Sequence, residues 1–335
     1  MKAIRILSVC LLAAAAAIPF VGCTGTAAAS AACSAVAQQA TRAERLRAKF
    51  DSADRDYVFV VAHRSDWRNH PENSLAAIRS AIEMGGDMVE IDVAKTKDGH
   101  YVLSHDGKLD RVSDRTGAIK NLTLAEVRKA RLRQGQGGKD APLTDERVPT
   151  LEEALDVCRG KILVNIDKFN IDPAGITSII YSLGVQRQVV LKGSGTHEDM
   201  KKKIGDSWKY IASRDFIYMP VVNSGKSAEA EAKTVAQVKA WDASDYPPPA
   251  YEVCVPGDAP AQIVAALNAS PNKPRLWINT LWDSLAHDHS ESLKGDAFTA
   301  DGVWGWWLKQ GATMIQTDRP ADLLDYLKKL GRHTL

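Results

Sequence analysis

The sequence predicts a parallel barrel of eight strands wrapped by helices, the TIM-type (β/α)8 fold of the α/β class. Two observations carry that expectation. Short β-branched or aromatic runs alternate with helical patterns, and residues 57–335 make a stretch of 279 residues, close to one such barrel and large for most other single domains. The expected strands are Tyr57–Ala62, Met88–Val93, Tyr101–Ser104, Ile162–Ile166, Gln188–Leu191, Phe216–Val222, Ala250–Val255, Leu276–Asn279 and Thr313–Gln316. Helical patterns over Ser74–Met84, Thr150–Cys158, Pro173–Leu183, Ser227–Trp241 and Ala259–Asn268 separate most of them.

Nine runs exceed a closed barrel's need by one. The surplus falls at Lys97-Asp98-Gly99, a turn so short that it can join only antiparallel neighbours. The stretch from Gly107 to Pro149, with Gly135, Gly137 and Gly138, shows no strand pattern and is expected as an insertion after the third run, over one barrel end.

The chain is 45% hydrophobic and 25% charged, which excludes a disordered, collagenous or disulfide-scaffold protein. Lys and Arg number 43 against 41 Asp and Glu, and Lys2 and Arg5 account for the excess, so no net charge favours nucleic acid as a partner. Of five cysteines, Cys10 and Cys23 lie near the N-terminus. The remaining Cys33, Cys158 and Cys254 have no zinc spacing.

Lys2 and Arg5 precede an apolar run from Ile6 to Val21, the pattern of an export signal over residues 1–22, and at 16 residues short for a membrane span. The run ends Phe20-Val21-Gly22-Cys23, which resembles the lipobox of bacterial lipoproteins. Cys23 is therefore the expected lipidation site, with cleavage near Ala29 as the rival. Residues 23–56 are expected as a tether followed by a short helix from Thr41 to Phe50, with folding proper starting near Tyr57. The protein is expected to be exported, periplasmic or anchored at the outer membrane, and to touch a membrane only through that lipid.

Polar groups collect just after the expected strands, where the loops of a parallel barrel form its active face. His63-Arg64 follows the first run and Pro71-Glu72-Asn73-Ser74 the loop beyond it. Glu90 and Asp92, two apart on a strand, point to one side. His105-Asp106 follows the third run, and the fourth ends at Asn165-Ile166-Asp167-Lys168. Two inward acids need a cation, and oxygen donors without nearby sulfur suit Ca²⁺ or Mg²⁺. Singly, each residue reads as structural or solvated. The ordered constellation is what points to chemistry.

Those motifs, with the Thr96-Lys97-Asp98-Gly99 turn and a late Thr317-Asp318-Arg319-Pro320, resemble the glycerophosphodiester phosphodiesterases, in an exported bacterial form. The resemblance implies a phosphodiesterase barrel with His63 and His105 as acid and base and one divalent cation, Ca²⁺ or Mg²⁺, on Glu90 and Asp92. It implies that Arg64 holds the phosphate of a small glycerophosphodiester, the expected partner, which is hydrolysed to glycerol phosphate and an alcohol through a cyclic phosphate. A phospholipase C-like or sphingomyelinase D-like lyase that stops at the cyclic product is the nearest alternative. An inactive ligand-binding surface lipoprotein is the alternative of another class.

The sequence departs from the family pattern in three places. Ser65 stands where glycine is usual after His-Arg. The family's Glu-x-Lys is Asp167-Lys168-Phe169 here. The third cation ligand is therefore carried to Asp167, and alternation turns Lys168 away from the site, so Lys192, at the end of the next strand, is expected to supply the phosphate-binding charge with Lys168 second. Asn279 and Trp282 are expected at the barrel mouth beside the alcohol part of a substrate.

Overall fold

A computed structural model describes residues 40–257, 261–292 and 298–335. The export signal, Cys23 and nearly all of the tether fall outside them. Eleven strands form among the described residues: β1 (Phe59–Ala62), β2 (Met88–Lys95), β3 (Tyr101–Leu103), β4 (Arg131–Arg133), β5 (Leu143–Arg147), β6 (Leu163–Asp167), β7 (Val189–Ser194), β8 (Ile217–Asn223), β9 (Ala250–Cys254), β10 (Arg275–Asn279) and β11 (Met314–Thr317). Eight close into a parallel barrel in the order β1, β2, β6, β7, β8, β9, β10, β11 and back to β1. The surplus strand β3 pairs antiparallel with β2, as the three-residue turn requires.

Alternation along each barrel strand separates two cores. Val89, Ile91 and Val93 of β2 pack outward with Val164 and Ile166 of β6 beneath the helices. Met88, Leu163, Val190, Ile217, Met219, Ala250, Trp277 and Met314 fill the barrel from inside. In the parallel register Glu90 lies opposite Asn165 and Asp92 opposite Asp167, so the inward positions above that apolar layer carry the polar groups.

Two expectations need correction. The insertion does contain strands: β4 and β5 pair antiparallel. Their sequences hid this, because β5 reads Leu-Thr-Asp-Glu-Arg with no residue buried, and β4 buries only Leu132, so neither shows an apolar face. The insertion builds its own small core from Leu109, Val112, Ile119, Val127, Ala130 and Leu132 against Val102 of β3.

Folding also starts before Tyr57. The helix Arg42–Asp51, opened by a Thr41–Glu44 capping box, belongs to the same compact unit as the barrel, which begins at Ala40. Leu46 and Phe50 join the inner core with Tyr57 and Phe59. Arg42 donates to the carbonyls of Gly85 and Gly86, and Arg47 to those of Arg187, Arg214 and Asp215. These carbonyls lie just before β2, β7 and β8, so the helix closes the end of the barrel where strands begin. The carbonyls at its own C-terminal end, Lys49 and Phe50, accept from the buried guanidinium of Arg275. Desolvation brings that guanidinium down to about 9. A run of alternating charges outside the barrel gave the sequence no sign of this docking.

Phe50→Ala should therefore cost about 3–5 kcal/mol, the usual loss for a buried aromatic, measured by urea unfolding. A change under about 0.5 kcal/mol, as for an exposed surface residue, would return the helix to the tether.

Candidate active site

At the carboxyl end of the barrel the chain makes an unusual turn directly after β1. Arg64 and Ser65 both adopt left-handed backbone, with φ of 48° and 65°. Neither is glycine, so each carries strain of roughly 1 kcal/mol. The turn aims the Arg64 amide at Glu90, 2.8 Å from Oε2, and its guanidinium at Glu72, 2.9 Å from Oε2. Arg64 Nε is buried with no hydrogen-bond acceptor among the described residues, 3.7 Å from Asp92. The glycine usual at position 65 matches the left-handed φ that Ser65 adopts, and the Ser65 hydroxyl is itself buried without a partner among those residues.

His63 points inward, and its Nδ1 lies 2.8 Å from Asp318 Oδ1, leaving Nε2 toward the mouth. Burial acts to raise the Asp318 carboxyl, but the bonds from His63 and Trp67 prevail and hold it below its ordinary value. Such a carboxylate orients the ring and fixes its tautomer. His105 has the matching arrangement with its neighbour, Nδ1 to Asp106 Oδ1 at 2.8 Å. Hydrogen bonds from Arg111, above all, hold the Asp106 carboxyl well below the usual carboxylate range.

Glu90, Asp92 and Asp167 converge, each offering an oxygen within 4.8 Å of the others. Burial, then the charges of Asp92 and Asp167, push the Glu90 carboxyl well above its ordinary value. Asp92 shares that burial, yet Lys168 and then His105 bring it below its own. It is also held by Asn73, which donates from Nδ2 to Oδ2 and accepts the Asp92 amide, both at 3.0 Å. Three hard oxygen donors whose mutual repulsion a cation would relieve fit a divalent ion of the Ca²⁺ or Mg²⁺ type.

Both lysines reach this cluster, which corrects the expectation that alternation turns Lys168 away. β6 ends at Asp167, and Lys168 is left-handed with φ of 61°, which reverses the strand's pleat at that residue. Its Nζ lies 3.1 Å from Asp92 Oδ1 and donates to the His105 carbonyl, while Phe169 turns into the outer core. Lys192 is 8% exposed and bound on two sides, 2.8 Å from Glu252 and 3.3 Å from Asp167. Although burial works against the charge, Asp167, Glu252 and Glu90 keep Lys192 firmly protonated. Asn279, buried at the carboxyl end of β10, donates to Glu252 and accepts from Trp277, both at 2.7 Å. Trp282 does stand at the rim, 38% exposed, with its ring 5.7 Å from that of His63.

Sequence reasoning assigned no role to Asp318, Glu72, Arg111, Glu252 or Glu291. Asp318 and Glu72 sat inside the quoted motifs, and Glu252 was detectable as an acid at an inward position of β9. Glu291 gave no signal. It lies in an irregular loop, and one buried oxygen accepts from Thr280, Thr317 and Trp304 while the other accepts the Asp318 amide at 2.9 Å.

The glycerophosphoryl diester phosphodiesterase family model matches residues 63–216, and a model for a domain of unknown function matches residues 218–327. A glycerophosphodiester phosphodiesterase of Caldanaerobacter subterraneus is 44% identical over 111 residues, 33% of this chain and 44% of that protein. Human glycerophosphodiester phosphodiesterase 1 is 43% identical over 110 residues, 31% of each chain. The chain thus spans less than half the length of these curated relatives. Among solved structures, a glycerophosphoryl diester phosphodiesterase of Parabacteroides distasonis superposes with a TM-score of 0.62 at 22% identity, over 86% of this chain and 92% of that one. An Oleispira antarctica phosphodiesterase in complex with the product sn-glycerol-3-phosphate gives 0.57 at 19% identity, over 81% of this chain and 96% of that one. At those identities the likeness is one of fold.

Two measurements follow from this geometry. Ser65→Gly should raise stability by about 1 kcal/mol, because it removes a left-handed side chain and an orphan hydroxyl together; a loss in urea unfolding would contradict the assigned backbone. Ca²⁺ or Mg²⁺ at about 100 times its Kd should stabilise the chain by about 2.7 kcal/mol, and Asp92→Asn with Asp167→Asn should abolish that gain in thermal unfolding.

Proposed function

We propose, from the match of residues 63–216 to the glycerophosphoryl diester phosphodiesterase family model, that this chain hydrolyses glycerophosphodiesters to glycerol phosphate and an alcohol. One observation carries the reading. Two histidines, each backed by a carboxylate, stand around a carboxylate triad and a buried arginine with an unspent donor.

A phosphodiester resists attack because it is anionic and its alkoxide leaves poorly. Arg64 and Lys168 bring positive charge to the nonbridging oxygens as it builds toward the transition state. Glu90, Asp92 and Asp167 would hold a divalent cation, which would supply Lewis acidity to the phosphate. One histidine takes the proton of the glycerol hydroxyl next to the phosphate, and that oxygen bonds to phosphorus. The bond to the head-group oxygen breaks, and the other histidine gives that oxygen a proton. Water then opens the cyclic phosphate with the two histidines in exchanged roles. Intramolecular attack needs no protein nucleophile and gains from proximity. Trp282 at the rim offers an apolar face to the departing alcohol.

The two lysines divide the work. Lys168, a third exposed in its side chain, meets the phosphate. Lys192 is the internal counter-charge of Asp167 and Glu252. Export, with Cys23 lipidated, belongs to the same reading and is checked by metabolic palmitate labelling of a Cys23→Ser variant.

Purified protein with glycerophosphocholine and Ca²⁺ or Mg²⁺ should release choline and glycerol phosphate, and lose that activity in EDTA. Arrest at a cyclic phosphate would make the protein a lyase. His63→Ala and His105→Ala should each lower kcat by at least ~10²-fold. Lys168→Met should lower kcat/KM by an amount equal to roughly 2–4 kcal/mol, whereas Lys192→Met should chiefly lower the unfolding midpoint. The reverse pattern would exchange their roles.

A further inference from the structure

The insertion between β3 and β6 contributes a guanidinium to this site. Arg111 donates from Nε and Nη2 to the two oxygens of Asp106, at 2.9 and 3.1 Å. It donates from Nη1 and Nη2 to the two oxygens of Glu72, at 2.9 and 2.7 Å. Asp106 is the carboxylate on His105 Nδ1, and Glu72 is the carboxylate on Arg64 Nη1. A single planar fork therefore stands between a histidine that follows β3 and an arginine that follows β1.

The surrounding chain is shaped to hold that fork. Leu109 and Val112 anchor its segment in the insertion's own core. The loop of Gly135, Gly137 and Gly138, which the function leaves unexplained, wraps it. The Gly138 amide donates to the Arg111 carbonyl at 2.7 Å, Arg111 Nη1 donates to the Gln136 carbonyl, and the Glu72 amide donates to that of Gly135 at 2.9 Å. Gly137 has φ of 75°, and a Cβ there would come within 2.3 Å of the Arg111 carbonyl oxygen, so only glycine lets the loop close this tightly.

We propose that Arg111 is a positioning residue that holds His105 and Arg64 in one register, through Asp106 and Glu72. It touches no substrate. Its work is geometric, because a catalytic proton donor or acceptor and a phosphate-binding group displaced by about 1 Å relative to each other lose much of their effect. Lysine cannot replace it, since a point charge with no planar fork cannot serve two carboxylates bidentately. The inference rests on the proposed function for its kinetic arm only.

The test compares the full chain with Arg111→Lys, His105→Ala and the double variant in Ca²⁺. It reads kcat and KM on glycerophosphocholine, affinity for sn-glycerol 3-phosphate by calorimetry, and the thermal midpoint. Arg111→Lys should lower kcat at least ~10-fold and weaken the product about 5-fold or more with little change in midpoint. In the His105→Ala background the same substitution should cost kcat clearly less than in the unaltered chain, because only the part that acts through Arg64 remains. Equal losses in both backgrounds, or kinetics and product affinity like those of the unaltered chain, would overturn the proposal. If Arg111→Lys does not fold, Glu72→Gln cuts the same chain from the other side, and unchanged product affinity there overturns it. If the unaltered chain turns over no glycerophosphodiester, the functional reading fails while product affinity still decides the Arg64 half.

Discussion

Three carboxylates brought within 4.8 Å at the mouth of a barrel are the constraint around which the rest is arranged. Like charges at that separation cannot all remain ionised in a dry site, and the protein responds in two ways. Glu90 retains its proton more readily, and cationic or amide partners surround the other two: Lys168, Arg64 and Asn73 at Asp92, Lys192 at Asp167. A hydrophobic substitute would be easier to fold in their place. Their retention, with the left-handed turns needed to reach them at Arg64, Ser65, Asn73 and Lys168, is strain concentrated where chemistry is expected.

From this cluster the remaining polar groups extend outward as chains of dependence. Glu291 fixes the amide of Asp318, Asp318 fixes His63, and His63 faces the cluster from one side. On the other side the insertion reaches His105 through Arg111 and Asp106. Lys192 passes the same order to Glu252, Asn279 and Trp277, deep in the barrel. Polar networks of this kind are stable only when complete, so a change at one end is felt at the other.

Nearly all of the barrel was legible in the sequence because parallel strands announce themselves as short apolar runs, and because the Lys97-Asp98-Gly99 turn betrayed the one strand that does not belong. Glu90 and Asp92 were legible for the same reason, since alternation assigns a side. Lys168 was not, because one residue of left-handed backbone undoes alternation and no composition reveals it. The helix at Arg42–Asp51 was foreseen but not its docking, because its arginines look like a solvated face, whereas their partners are carbonyls far along the chain. The roles of Arg111 and Glu291 could not be found by pattern: each acts through residues distant in sequence, and only closure of the fold brings them together.

The docked helix has a consequence for traffic. With Leu46 and Phe50 packed into the inner core and Arg275 tying down the helix end, the barrel is covered where its strands begin. The face left to solvent traffic by the helix is then the carboxyl-end rim, where Trp282 stands 38% exposed beside His63.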